Sequence, residues 1–204
     1  CKLLLVGSSD QYGIVKEEDC PIKETLPVHP LNPYAVSKQA QEDMIRCLAI
    51  AKRVNVVFTR SFNHTGPGQR KGFAVPDFAG RILDVKKNGG ELHVGNLAAQ
   101  RDFSDVRDSV RAYRLLAEKG RNGEVYNVGS GKAHSIEWIL EKMLELAGIQ
   151  PNVVVDQENI RPLDMPLLVA DTAKINKDTG YVAQVDIEKT LSDVLQFCEL
   201  GNGL

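Results

Sequence analysis

Apolar runs and helical stripes alternate along the 204 residues of this chain. Lys2-Leu3-Leu4-Leu5-Val6, followed by Gly7-Ser8-Ser9, reads as a short strand buried on both faces, as inside a parallel sheet. Residues 54–59 and 124–129 repeat that pattern with β-branched and apolar side chains, and residues 153–155 form a shorter version of it. A helix opens between the first two strands, with Asn32 as N-cap and Pro33 at the first helical position. It runs to about Lys52, with Ala40, Met44, Cys47, Leu48 and Ala51 recurring at helical spacing. Further helices are expected over residues 73–87, closed by Asn88-Gly89-Gly90, and over residues 103–119, 135–147 (Ser135 as cap) and 187–198. Strand, helix, strand in that order is a right-handed crossover, so the expected class is α/β with a doubly wound parallel sheet. The one long irregular stretch, residues 12–31, is acidic and proline-containing, and loops of that length are often functional.

Composition narrows the partners. Hydrophobic residues at 43% and charged residues at 25% are ordinary for a globular protein, and a net charge of -2 lacks the basic surplus of a nucleic-acid binder. No apolar run reaches the roughly 18–20 residues that span a bilayer. Cys1, Cys20, Cys47 and Cys198 have no CxxC spacing, which fits reduced thiols in a cytoplasmic protein better than a disulfide framework. His29, His64, His93 and His134 are too scattered for a zinc set, and no Gly-x-Ser-x-Gly elbow occurs. A dinucleotide fold normally opens with strand, glycine-rich turn and helix. Gly66-Pro67-Gly68 and Gly129-Ser130-Gly131 are the nearest approaches, without the full spacing. Either the protein does without a dinucleotide, or that turn lies upstream of Cys1.

Candidate chemistry gathers at the first helix. Tyr34 and Lys38 are four apart and share a face, and an ammonium beside a phenol favours the phenolate, suiting tyrosine to proton transfer. Ser8 ends the first strand, and ligands of parallel sheets collect at the carboxyl ends of the strands. The tyrosine-lysine spacing alone is common; its surroundings make it specific. Gly7-Ser8-Ser9-Asp10-Gln11-Tyr12-Gly13, then Asn32-Pro33-Tyr34-Ala35-Val36-Ser37-Lys38, then Arg60-Ser61-Phe62-Asn63-His64-Thr65-Gly66-Pro67-Gly68-Gln69, then Arg101-Asp102-Phe103-Ser104-Asp105 and Tyr126-Asn127-Val128-Gly129-Ser130-Gly131 follow in order over nearly the whole chain. Together they resemble the extended short-chain dehydrogenase/reductases that act on nucleotide sugars.

That resemblance implies the second half of a Rossmann domain at residues 1–66 and 97–133, and a smaller sugar-nucleotide domain at residues 67–96 and 134–204. It implies NAD or NADP as cofactor, a nucleotide-diphosphate sugar as substrate with GDP favoured, and a homodimer built on the Tyr34 helix. Ser8, Asp10, Tyr34 and Lys38 are then the catalytic positions. Lys38, Phe62 and His64 meet the cofactor, and Asn63, Val75, Arg101 and Arg161 meet the substrate. Arginine suits that role because its planar fork grips phosphate oxygens in pairs; Arg101 is expected to open a helix, with an ion pair to Asp105 as the bland alternative. Dehydratases of the family carry Glu where this chain has Asp10, and that side chain is one methylene shorter. A displacement of about 1 Å costs on the order of a hundredfold in rate. Residues 60–69 resemble the 4-keto-6-deoxy-sugar reductases most closely. Simple reduction at C4 is therefore expected, ahead of 4,6-dehydration and 4-epimerisation, with a non-catalytic nucleotide-sugar binder as the reading from another class. With the glycine-rich turn expected upstream, the 204 residues alone should show no nicotinamide oxidation with a keto sugar, and robust turnover by them would overturn that expectation.

Overall fold

The protein is described by a computed structural model covering residues 1–52, 54–156 and 165–201. Three parallel strands, β1 (Lys2–Ser8), β2 (Asn55–Ser61) and β6 (Val125–Val128), make the first sheet in the order β1-β2-β6. Their register sets Ser8 opposite Ser61 and Ser61 opposite Val128, so the three strands end level. The first crossover is α1 (Pro33–Lys52). Asn32 caps it as expected, accepting the Ala35 N–H at 2.8 Å on its side chain.

Beyond β2 the chain makes β3 (Asn63–Thr65), α2 (Ala74–Asn88), β4 (Leu92–Val94), β5 (Gln100–Asp105) and α3 (Val106–Lys119). After β6 come β7 (Ala133–Ser135), α4 (Ile136–Ala147), β8 (Val153–Val155), β9 (Leu167–Leu168), α5 (Ala173–Thr179) and α6 (Ile187–Glu199). Strand β5 runs parallel to β3 and β9 and antiparallel to β7. The expected helix over residues 103–119 is thereby corrected: it begins only at Val106. Pairing with three other strands holds residues 100–105 extended, and Asp105 caps the helix by accepting the Arg107 N–H at 2.7 Å. Asp105 also pairs with Arg107, not with Arg101.

Two apolar clusters flank the sheets. One gathers α2, α4 and α6 around Val75, Ile82, Ile139, Met143 and Leu191; the other sets α3 and α5 against β2 and β6 through Leu116, Ile175, Val57 and Tyr126. The long acidic loop is not loose, because Tyr12, Val15 and Ile22 bury themselves against Phe62, Leu168 and Ala170.

Helix α1 departs from the usual arrangement. Its expected apolar stripe faces outward, with Met44 60% exposed and Leu48 and Cys47 exposed as well, while the inner face carries Ala35, Gln39 and the buried Glu42. The cause lies on β2. Arg60 points inward and is buried, and the Glu42 carboxylate takes its Nη2 at 2.9 Å and its Nε at 3.3 Å. Arg46, one turn on, adds a third contact at 3.1 Å, and the Gln11 amide a fourth at 2.8 Å. A buried charge is tolerated only when paired and fully hydrogen-bonded, and here it is.

Removing one partner strands the other. Glu42→Ala should cost about 3–5 kcal/mol in urea unfolding, whereas Glu42→Leu combined with Arg60→Met should recover most of that loss. Burial would raise the Glu42 carboxyl, but Arg60, Gln11 and Arg46 together hold it below the usual carboxylate range. Asp105 is likewise held low, against its burial, by Arg107 and Thr190. Both contributions are present above the ordinary carboxylate range of about 4 and are lost as pH falls below it. The difference in urea midpoint between the wild type and the apolar double variant should therefore shift in the double variant's favour as pH falls through about 4.

Candidate active site

The carboxyl ends of β1 and β2 and the first turns of α1 meet at one edge of the parallel sheet. Ser8 ends β1 and caps the short 3-10 turn at Ser9–Tyr12, its Oγ accepting the Asp10 N–H at 3.2 Å. A hydroxyl so used still has its proton to donate. Lys38 reaches the same strand end, its Nζ donating to the Val6 carbonyl at 3.0 Å, and lies 5.7 Å from the centroid of the Tyr34 ring. The Tyr34 side chain is on the surface (54% exposed), and its hydroxyl has no hydrogen-bond partner among the described residues. The structure thus places Ser8 and Lys38 at one strand end, with Tyr34 one helical turn before the lysine. At the end of β2, Ser61 Oγ and the Tyr113 hydroxyl of α3 are 2.7 Å apart; burial pushes that phenol up despite the Ser61 bond.

The other expected positions divide. His64 is exposed on β3, and its Nδ1 lies 3.1 Å from the Phe62 carbonyl, which can only accept, so that nitrogen is the donor. Asn63 is half-buried at the start of β3. Phe62 is buried beneath the acidic loop, with its N–H taken by the Val128 carbonyl, so it shapes the floor and offers no polar group. Val75 is corrected more strongly. At 1% exposure its side chain sits in the α2–α4–α6 core, on the inward apolar stripe of α2, and presents no side-chain surface to a ligand. What that segment exposes is Phe73, with the Arg70 guanidinium 5.7 Å from its ring centroid.

Arg101 lies on β5 and does not open a helix. Its Nη1 donates to the carbonyls of Gln100 and Met165 at 2.8 and 2.6 Å, which ties the guanidinium to the chain just before β9. Arg161 lies outside the described residues.

Sequence reasoning missed the groups that brace this edge. Glu42 and Arg46 continue the four-residue spacing of Tyr34 and Lys38, a polar stripe that could have marked the inner face of α1. Asp102, next to Arg101, is 1% exposed and accepts from Ser130 N, Ser130 Oγ, Gly131 N and Ala170 N, which fastens the turn after β6 to β5. The turn comes so close that a Cβ on Gly129 would lie 2.5 Å from the carboxylate. Burial raises the Asp102 carboxyl in spite of these donors. Asp102→Asn turns an NH2 group toward N–H donors and should cost about 1–3 kcal/mol in thermal unfolding, whereas loss of no more than a few tenths of a kcal/mol would show the donors to be dispensable.

The chain is similar in sequence and fold to known proteins. The sequence profile described as GDP-mannose 4,6 dehydratase matches residues 1–194. The chain is 35% identical over 194 residues to the GDP-6-deoxy-D-mannose reductase of Pseudomonas aeruginosa, covering 94% of this chain and 64% of that protein. It is 30% identical over 192 residues to GDP-mannose 4,6 dehydratase 2 of Arabidopsis thaliana, covering 92% and 50%. The solved structure of RMD from Pseudomonas aeruginosa complexed with NADPH superposes with a TM-score of 0.93 at 34% identity, covering 98% of this chain and 67% of that one. The chain thus spans about half to two thirds of the length of these relatives. A profile match over nearly every residue, with the strand-end serine and the tyrosine-lysine helix in one place, settles the kinship: the chain belongs to the GDP-mannose 4,6-dehydratase family, in the nucleotide-sugar branch of the extended short-chain dehydrogenase/reductases.

Proposed function

We propose that this chain carries the proton-transfer site of an NAD(P)H-dependent reductase acting at C4 of a GDP-4-keto-6-deoxy-hexose. The observation that carries the reading is the meeting of Ser8, Lys38 and the Tyr34 helix at the carboxyl end of β1, in a chain 35% identical to a GDP-6-deoxy-D-mannose reductase. The donor set fits a nicotinamide ribose: Lys38 has three N–H donors, and among the described residues its hydrogen bond to the Val6 carbonyl uses one of them. A reduced nicotinamide bound there supplies hydride. Ser8 hydrogen-bonds the C4 oxygen through its hydroxyl and keeps its proton, Tyr34 gives that oxygen its phenolic proton as the C4 alcohol forms, and Lys38 holds the ribose and places positive charge beside the phenol. His64 and Asn63 border the same edge, and Arg101, with Arg161, is assigned to the diphosphate.

Asp10 favours reduction over dehydration. Reduction needs no base at C5, whereas dehydration does, and Asp10 stands on the turn capped by Ser8 with a side chain one methylene shorter than glutamate. The same reading assigns residues 1–66 and 97–133 to the cofactor domain and residues 67–96 and 134–204 to the sugar-nucleotide domain. The outward apolar stripe of α1, with Met44 and Leu48, supports a homodimer through that helix, and four free thiols suit the cytoplasm.

Two measurements test the reading on the holoenzyme. Tyr34→Phe should lower kcat for keto-sugar reduction by about a hundredfold or more, with sugar affinity retained; unchanged turnover would remove Tyr34 from the mechanism. Incubated with GDP-mannose and catalytic cofactor, the wild type should leave the sugar unchanged, and accumulation of a 4-keto-6-deoxy product would replace reduction by dehydration.

A further inference from the structure

One buried amide links the two halves of the site. Gln11 is fully buried in the turn after Ser8. Its Oε1 accepts the Ser8 N–H at 2.8 Å, while its Nε2 donates to Gln39 Oε1 and to Glu42 Oε2, each at 2.8 Å. The amide orientation is settled by its partners, since the Ser8 N–H can only donate and a carboxylate can only accept. Gly7 records the same constraint from the other side: a Cβ there would lie 2.3 Å from Gln11 Oε1 and 2.4 Å from the Thr59 carbonyl. The first half of this contact is a capping box, in which a residue three after the cap reaches back to the cap N–H, and by itself that is a local folding device. The second half is not local. It fastens Ser8 to α1 on the stripe that carries Lys38 and Tyr34, one and two turns before Glu42, and Glu42 is in turn locked to Arg60 of β2.

We propose that Gln11 is a positioning residue: its amide sets the separation between Ser8 and the Tyr34–Lys38 pair, which must converge on one oxygen. The proposal rests on the functional reading above. Gln11 touches no reacting atom; it acts through the Ser8 backbone and through Glu42. A displacement of about 1 Å between the hydroxyl and the phenol costs on the order of a hundredfold in rate, so this bond governs turnover far more than binding, which other elements provide.

Two variants of the holoenzyme test it: Gln11→Met and Gln11→Glu. Gln11→Met keeps the volume and loses both arms of the clamp. It should lower kcat by about tenfold to a hundredfold with KM for sugar and cofactor within about twofold. Amide exchange at Ser8 should quicken at least about tenfold, with Val57 in the sheet interior unchanged. Gln11→Glu sets a carboxylate against Glu42 and should also lower kcat. Wild-type kcat in Gln11→Met with fast Ser8 exchange would overturn the proposal. A uniform rise in exchange across the sheet that tracks the loss of kcat would make Gln11 a fold residue only, and overturn it too. A wild type inactive on every nucleotide sugar is a different failure: it removes the functional reading itself, and the catalytic role of the clamp with it.

Discussion

The Glu42–Arg60 ion pair is the contact on which the rest of this site depends. An arginine inside a parallel sheet is expensive unless its charge is met and its donors are used. Arg60 is placed inward by the alternation of β2, and Glu42 is the carboxylate that meets it. That requirement fixes the rotation of α1 about its axis. Once Glu42 faces the sheet, Lys38 and Tyr34 on the same stripe are brought to the carboxyl end of β1, and Met44 and Leu48 turn outward. An apolar stripe has no directionality and packs in several rotations; an ion pair with three further hydrogen bonds accepts one.

The polar seam extends past that pair. Arg60 lies 4.9 Å from the centroid of the Tyr12 ring, and the Tyr12 hydroxyl donates to Asn127 Oδ1 at 2.7 Å. Asn127 in turn donates to Glu24 and to the Ile22 carbonyl, so the acidic loop is fastened to β6 by the same chain of contacts. Asp102 does comparable work for the turn after β6. None of these groups faces the chemistry, yet they decide where the strand ends stand. Buried networks of this kind specify one arrangement because every alternative leaves a donor or carboxylate unmet.

Parts of the site were legible in the linear chain because they depend on short-range geometry. Tyr34 and Lys38 are one helical turn apart wherever the helix sits, Asn32-Pro33 marks its start, and a serine after an apolar run marks a strand end. The misplaced start of α3 had a local signal too, since Asp105 is a good cap, but the strand before it exists only through its partners. Short strands such as β3, β4, β7 and β9 carry too few residues to show a period, and they are held by pairing with distant segments. Val75 could be read either as a ligand contact or as core, and only the packing of α2 on α4 and α6 chose core.

By itself, then, the chain determined the α/β class, the crossover helix and the local spacing of Ser8, Tyr34 and Lys38, because helix spacing, capping and apolar runs act over a few residues. Which face of α1 turns inward, which strand Arg101 belongs to, and how Gln11 joins Ser8 to Glu42 were decided by tertiary structure alone. The reason is physical: burial of a charge or an amide is costly until a specific partner arrives, and those partners come from residues 31, 18 and more positions away in sequence.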